Sequence, residues 1–284
     1  NDLVVHPRDN DLIFGTHGRG IWILDNVNAL QELTPEVLAS TGHLFSMEPA
    51  EQIRYRSEKG HAGDMIFRGQ NPAPGALIDY WLGPEAREVS VTVLHESGET
   101  VAHVRAQDEA GVNRVTWNLR YSEPDQEVGE SPSGPLVVPG TYVVRLQVDG
   151  ATHEQVLEVR EDPRLEVDPQ TRRAWTEELL DLGALVREAA QRAEAIDEVV
   201  EQVSEGAPFP EALGTWASDL QRQWQELRSR TRGLTREVEG WVGPLTADQR
   251  SQKEYYMEMV QTLTREMEAL KAQIGEGPDS GGHR

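Results

Sequence analysis

From Trp175 onward the apolar positions advance by four and three residues in turn. Trp175, Leu179, Leu182, Val186, Ala189, Ala193, Ile196, Val200 and Val203 form one run. Leu213, Ala217, Leu220, Trp224, Leu227, Thr231, Leu234, Val238 and Trp241 form a second, and Tyr256, Val260, Leu263, Met267, Leu270 and Ile274 a third. A sustained repeat averaging 3.5 residues places one apolar stripe along each helix and is the pattern of a coiled coil. Helix starts are also written locally. Asp168 followed by Pro169 supplies an N-cap with proline at the first helical position, and Thr246-Ala-Asp-Gln249 has the form of a capping box. Short breaks at "EGAPFP" and "GPL" predict that neighbouring helices run oppositely, as an antiparallel three-helix coiled-coil bundle over 165–275 with a flexible tail at 276–284. Helices of about thirty residues would make a rod of roughly 45 Å. The same stripes could also pair between two chains, which would make the helical arm a homo-oligomerisation element.

Upstream the pattern changes from helical to strand-like. "GALIDYWL", "EVSVTVLHES", "TVAHVRA", "NRVTWNLRY", "GTYVVRLQVDG" and "ATHEQVLEVRE" are short, rich in β-branched and aromatic residues, and separated by turn residues. Six or seven strands in about ninety residues suit an immunoglobulin- or fibronectin-like β-sandwich over 71–163 with Trp117 in its core. Residues 31–70 read as a transitional linker: "TPEVLAS" can form a turn or two of helix, "GHLFSMEPAEQIRYR" holds a short apolar strand, and the rest is loop-like. Residues 1–30 open with three strands, "DLVVHP", "LIFGTH" and "IWILD", joined by the turns "RDND" and "GRG". Gly18 and Gly20 supply the positive φ that a tight hairpin around Arg19 needs. Three short apolar strands leave both faces of their sheet uncovered, so further sheet is expected to accompany them.

Charge narrows the partners. Against 27 Lys and Arg stand 49 Asp and Glu, a formal net charge of -22 spread along the chain. Such a surface repels phosphate backbones and anionic headgroups, which argues against nucleic acid and membrane surfaces. No run of about eighteen apolar residues is present, so no membrane span is expected. The chain has no cysteine, which removes disulfides and thiolate metal sites.

The candidate chemistry is sparse. "GTHGRG" lacks the Lys-Ser/Thr of a P-loop and no helical pattern follows it, so it reads as a hairpin turn and not an anion cradle. His6 and His17 with Asp9 and Asp11 match no metal-ligand spacing, and no metal or cofactor is assigned. Asp25 at a strand end and Asp79 inside "LIDYWL" stand where a hydrolytic acid pair could, but no spacing brings two acids to a set separation, and no catalytic residue is assigned. No G-x-S-x-G occurs. Tyr80 and Trp81 are the one candidate for stacking on a sugar ring. Trp22, Trp81 and Trp117 are read as sheet core, and Trp175, Trp216, Trp224 and Trp241 as bundle core. Glu194, Asp197, Glu198 and Glu201 read as a solvated helix face.

Two stretches resemble known families. "VHPRDNDLIFGTHGRGIWILDNVNALQEL", residues 5–33, is similar to the final blade of secreted bacterial proteins with sortilin-type or neuraminidase-repeat (BNR-like) β-propellers, often labelled glycosyl hydrolases. The Asp-box of such blades is absent, which accords with a chain that begins inside its last blade. "GVNRVTWNLRY" followed by "PGTYVVRLQVDG" resembles the Ig-like domain of the flagellar hook-cap protein and of many secreted bacterial enzymes. The resemblance implies a secreted or periplasmic protein whose propeller lies upstream. The present chain would then be a non-catalytic scaffold that meets the propeller and possible protein or glycan partners. Its alternatives are part of a glycosyl hydrolase whose active site lies mainly upstream, and a peptide-binding module of the sortilin type. Fold likeness alone does not decide among these.

Overall fold

The computed structural model describes residues 2–53, 71, 73–127, 130–205 and 209–275. The chain is β plus α, and it divides into two compact units, 1–166 and 167–284.

The first unit begins with an antiparallel sheet of β1 (Asp2–Val5), β2 (Leu12–Gly15) and β3 (Ile21–Leu24) in that order. Its hairpin turn forms as the glycine spacing requires: Gly18 and Gly20 take φ of 75° and 87°, and the Thr16 amide donates to the Gly20 carbonyl at 3.2 Å. Two short helices follow, α1 (Asn28–Glu32) and α2 (Pro35–Leu38), the latter capped by Thr34, whose Oγ1 accepts from the Val37 amide.

Two further sheets enclose one core. The larger joins β5 (Ala50–Glu51), β11 (Ala151–Arg160), β10 (Gly140–Val148), β7 (Val89–His95) and β8 (Thr100–Val104); the smaller joins β4 (Gly42–Leu44), β6 (Ala76–Leu82) and β9 (Gly111–Trp117). All pairs are antiparallel except β5 with β11. Ile78, Tyr80 and Leu82 from the smaller sheet meet Val93, Val144, Leu146 and Leu157 from the larger, around a fully buried Trp117 whose ring N–H donates to the Arg120 carbonyl at 2.9 Å. Gly75, at φ 122°, lies so close to the Trp117 carbonyl that a Cβ there would sit 2.1 Å from its oxygen; only glycine fits.

The six strands expected within 71–163 are all present, but the sheets do not begin at residue 71. β4 and β5, from the stretch read as a linker, pair with β6 and β11. At three and two residues they are too short to carry a period, and their partners are distant in sequence. Residues 29–45 cover the outer face of β6: Ala29, Val37 and Phe45 form a cluster with Leu33 and Trp81. The loop-like reading of 57–75 falls mostly outside the described residues, as does the tail 276–284.

The second unit holds α3 (Pro169–Glu205), α4 (Glu211–Glu239) and α5 (Ala247–Gly275), whose apolar stripes pack on one another within the chain. The α5 stripe is the expected set, Tyr256, Val260, Leu263, Met267, Leu270 and Ile274. On α4 the buried set runs from Ala217 to Val238 as expected. It stops there, because the chain turns at Gly240, and Trp241 is 78% exposed and not core. On α3, Leu185 and Val199 are buried, and the expected Val186 and Val200 beside them are half-buried. Both starts are capped as read. Asp168 Oδ1 accepts from the amides of Gln170 and Thr171, and Thr246 and Gln249 bond reciprocally at 3.0 and 3.2 Å. Trp175 donates to the Val238 carbonyl at 2.9 Å, tying the start of α3 to the end of α4. Lys253 on α5 donates to Glu178 at 2.5 Å and Asp181 at 3.1 Å on α3. Burial opposes the Lys253 charge, but these two bonds outweigh it and raise its pKa. At 37 residues α3 exceeds the thirty expected and spans about 55 Å. No described helix is long and apolar enough to cross a membrane.

Candidate functional site

Two features of the first unit stand out: a bare apolar sheet, and a polar cluster beside it. In the sheet, Ile21, Trp22, Ile23 and Leu24 are consecutive and are 75%, 63%, 60% and 40% exposed, with Leu3, Val4 and Val5 similarly open on β1. Successive strand residues point to opposite faces, so both faces are bare. Among the described residues nothing covers either face, and no strand pairs with the outer edges of β1 and β3. Trp22 is therefore not sheet core, contrary to its reading from strand pattern. An apolar surface of this kind marks an interaction site.

The polar cluster centres on Arg114. On β6 the residues 76, 78, 80 and 82 face the core, which sends Asp79 and Trp81 to the outer face; β9 places Arg114 directly opposite Asp79 in register. The guanidinium donates to both oxygens of the buried Asp79, at 2.6 and 2.7 Å, and to the carbonyls of Asp25 and Asn26, at 2.5 and 2.6 Å. Hydrogen bonding to Asp79, against the cost of burial, raises the Arg114 pKa above its ordinary value. Of Asp25 and Asp79, weighed as hydrolytic acids, Asp79 meets Arg114 through its carboxylate and Asp25 only through its backbone carbonyl. Asp79 is buried with both oxygens bonded to the guanidinium, the geometry of a structural ion pair.

Beside this cluster lies a groove of about 670 Å³ lined by Arg8, Asp9, Asp11, Asp25, Glu48, Glu51 and Arg160 among others. Its arginines are engaged, Arg8 with Asp9 and Arg160 with Glu158, and the bond from Arg8 holds Asp9 below the ordinary aspartate value. With five carboxylates against two paired guanidiniums the groove favours cationic over anionic solutes.

The remaining candidates do not converge. Tyr80 is fully buried on the inner face, its hydroxyl donating to the Gln107 carbonyl at 2.7 Å and accepting from the Gln107 amide at 2.6 Å. Trp81 points the other way, packs beneath α2 and donates to the Ser40 carbonyl at 3.3 Å. Adjacent strand residues face apart, so the two cannot form a sugar platform; the run "LIDYWL" is apolar because both faces of β6 are covered. His6 bonds locally to Asp9 and His17 sits exposed in the hairpin turn. Among the described residues no three His, Cys, Asp or Glu are grouped so as to hold a metal ion.

The Asp79–Arg114 pair went unread in the sequence, although a signal was there. An aspartate inside an apolar strand demands a cation, and "GVNRVTW" offers one at matching alternation. No protein-family model, curated protein or solved structure matches this chain.

Proposed function

We propose that this chain is the non-catalytic C-terminal scaffold and partner-binding region of a larger secreted or periplasmic β-propeller protein, of the sortilin-type or neuraminidase-repeat kind. Residues 1–30 belong to its last blade, an Ig-like sandwich follows, and residues 165–275 form a three-helix coiled-coil arm. The observation that carries the reading is that, among the described residues, β1 and β3 are apolar and exposed on both faces. A single docking partner, or a second copy, would cover one face. Blades in a ring are flanked on both. In a form of the protein extended upstream by the ring, the quencher-accessible fluorescence that Trp22→Phe removes from the 284-residue chain should be absent from the start. Equal quenching of Trp22 in the extended form would defeat the reading.

One observation favours a second reading, as part of a glycosyl hydrolase: the groove carries five carboxylates, among them Asp25 at the end of β3. Turnover of aryl glycosides by the extended protein, lost in Asp25→Asn, would replace the scaffold reading with this one.

A further inference from the structure

The chain leaves the small sheet through a turn at residues 25–28 that is held from inside. Asn26 takes a positive φ of 46°, as does Asn10 at 52°, a conformation asparagine tolerates. The Asn26 amide donates to Asp11 Oδ1, the Val27 amide to the Asn10 carbonyl and the Asn28 amide to Asn26 Oδ1, each at 3.0 Å. All three bonds stay within the first 28 residues, so none of them fixes the turn to the sandwich.

Arg114 does that. Its side chain reaches from β9 to the two carbonyls at the end of β3 while its remaining donors grip Asp79 on β6. We infer that Arg114 is a positioning residue that locks the turn after β3 onto the outer face of β6 and β9, so that the bare sheet is carried as a rigid extension of the sandwich and not on a loose hinge.

The chemistry suits the task. Charge-assisted bonds to a carboxylate and to strand-end carbonyls are strong and directional. Asp79, at 4% exposure, cannot be left without its cation, so the guanidinium is anchored on the sandwich side before it meets the turn. A planar fork of five N–H groups can serve the carboxylate and both carbonyls at once; an ammonium cannot hold that geometry. The joint lies wholly within residues 1–166 and stands whether or not further sheets flank β1–β3.

Hydrogen exchange on the 284-residue chain tests it, with the amides of Asn26, Val27 and Asn28 as reporters and those of β10 and β11 as controls. In Arg114→Lys the reporters should exchange at least tenfold faster while the controls keep their protection. Unchanged reporters would overturn the inference. Should the controls also loosen, the double variant Arg114→Met with Asp79→Leu decides, because it replaces the ion pair with apolar side chains and removes only the grip on the carbonyls. Selective acceleration of the reporters in that variant supports the joint; reporters that stay protected, or that move together with the controls, refute it. Neither result depends on the quenching of Trp22 that tests the propeller reading.

Discussion

Trp22 and Trp117 both lie in strands, yet one ring is 63% exposed and the other fully buried. β3, IWIL, and β6, ALIDYWL, are both nearly continuous apolar runs, and they differ in what lies against them. In the two facing sheets, β6 is faced by the larger sheet on one side and by residues 29–45 on the other. In the small sheet, no described residue covers either face of β3, whose side chains are 40 to 75% exposed. Apolar strand pattern therefore reports that a surface needs covering without reporting where the cover comes from. In the helical unit the need and the cover are written together, because three stripes on one chain bury one another.

The largest effect should come from breaking that self-sufficiency. Leu227, 3% exposed on α4, faces the shared helical core. Leu227→Asp removes a packed side chain and places a charge in an apolar core, a loss of more than about 5 kcal/mol. Circular dichroism should show the helices melted at room temperature, with β10 and β11 still protected from exchange. Loss of strand protection in the same variant would show that the two units are not energetically separate.

Trp117→Ala comes next. The ring is fully enclosed and its N–H is bonded, so the variant should lose about 3 to 5 kcal/mol in denaturant unfolding of the sandwich. An unchanged midpoint would mean that the sandwich is as poorly covered as the small sheet.

These two residues also mark what was legible in the sequence. Stripes, caps and hairpin glycines act between residues a few positions apart, so Leu227, Asp168, Thr246 and Gly18 could be placed directly. Trp117 was placed because a strand pattern with many neighbours of its kind closes on itself. What escaped depends on long-range pairing: β4 and β5 entering the sheets, Tyr80 turned inward beside an outward Trp81, and Asp79 meeting Arg114 thirty-five positions later. Trp241 escaped for a different reason. It keeps the heptad step, but the helix has already ended at Gly240.

A smaller effect should appear at the seam where β4 lies beside β11. Gln155 donates to the Leu44 carbonyl there at 3.2 Å, and the buried Nε2 of His153 has no hydrogen-bond partner. Burial first, and the nearby His43 second, lower the His153 pKa below the ordinary imidazole value. Its neutral form is thus favoured on folding. The contribution is complete above the unfolded imidazole pKa, near 6.5, and is lost as pH falls from there toward the lower folded value. Unfolding midpoints measured from pH 7.5 to 5 should fall with acid, and His153→Gln should flatten that slope. A slope of the opposite sign, or one indifferent to the substitution, would show a seam more open than the core it closes.

The smallest effect is the one that tests the contrast most directly. Trp22 stands opposite Phe14 on β2, and an aromatic cross-strand pair contributes roughly 0.2 to 1 kcal/mol. With 63% of the residue in contact with water, little further area is removed on folding, so area burial adds little to that figure. Trp22→Ser should therefore cost less than about 1 kcal/mol, several-fold below Trp117→Ala, while lowering the binding of a dye that reports exposed apolar surface. The pairing of small stability cost with reduced dye binding is what a bare sheet requires: the ring offers surface to a partner and little to its own fold. A loss above about 2 kcal/mol would place Trp22 under cover in solution and remove the contrast with Trp117 from which the propeller reading starts.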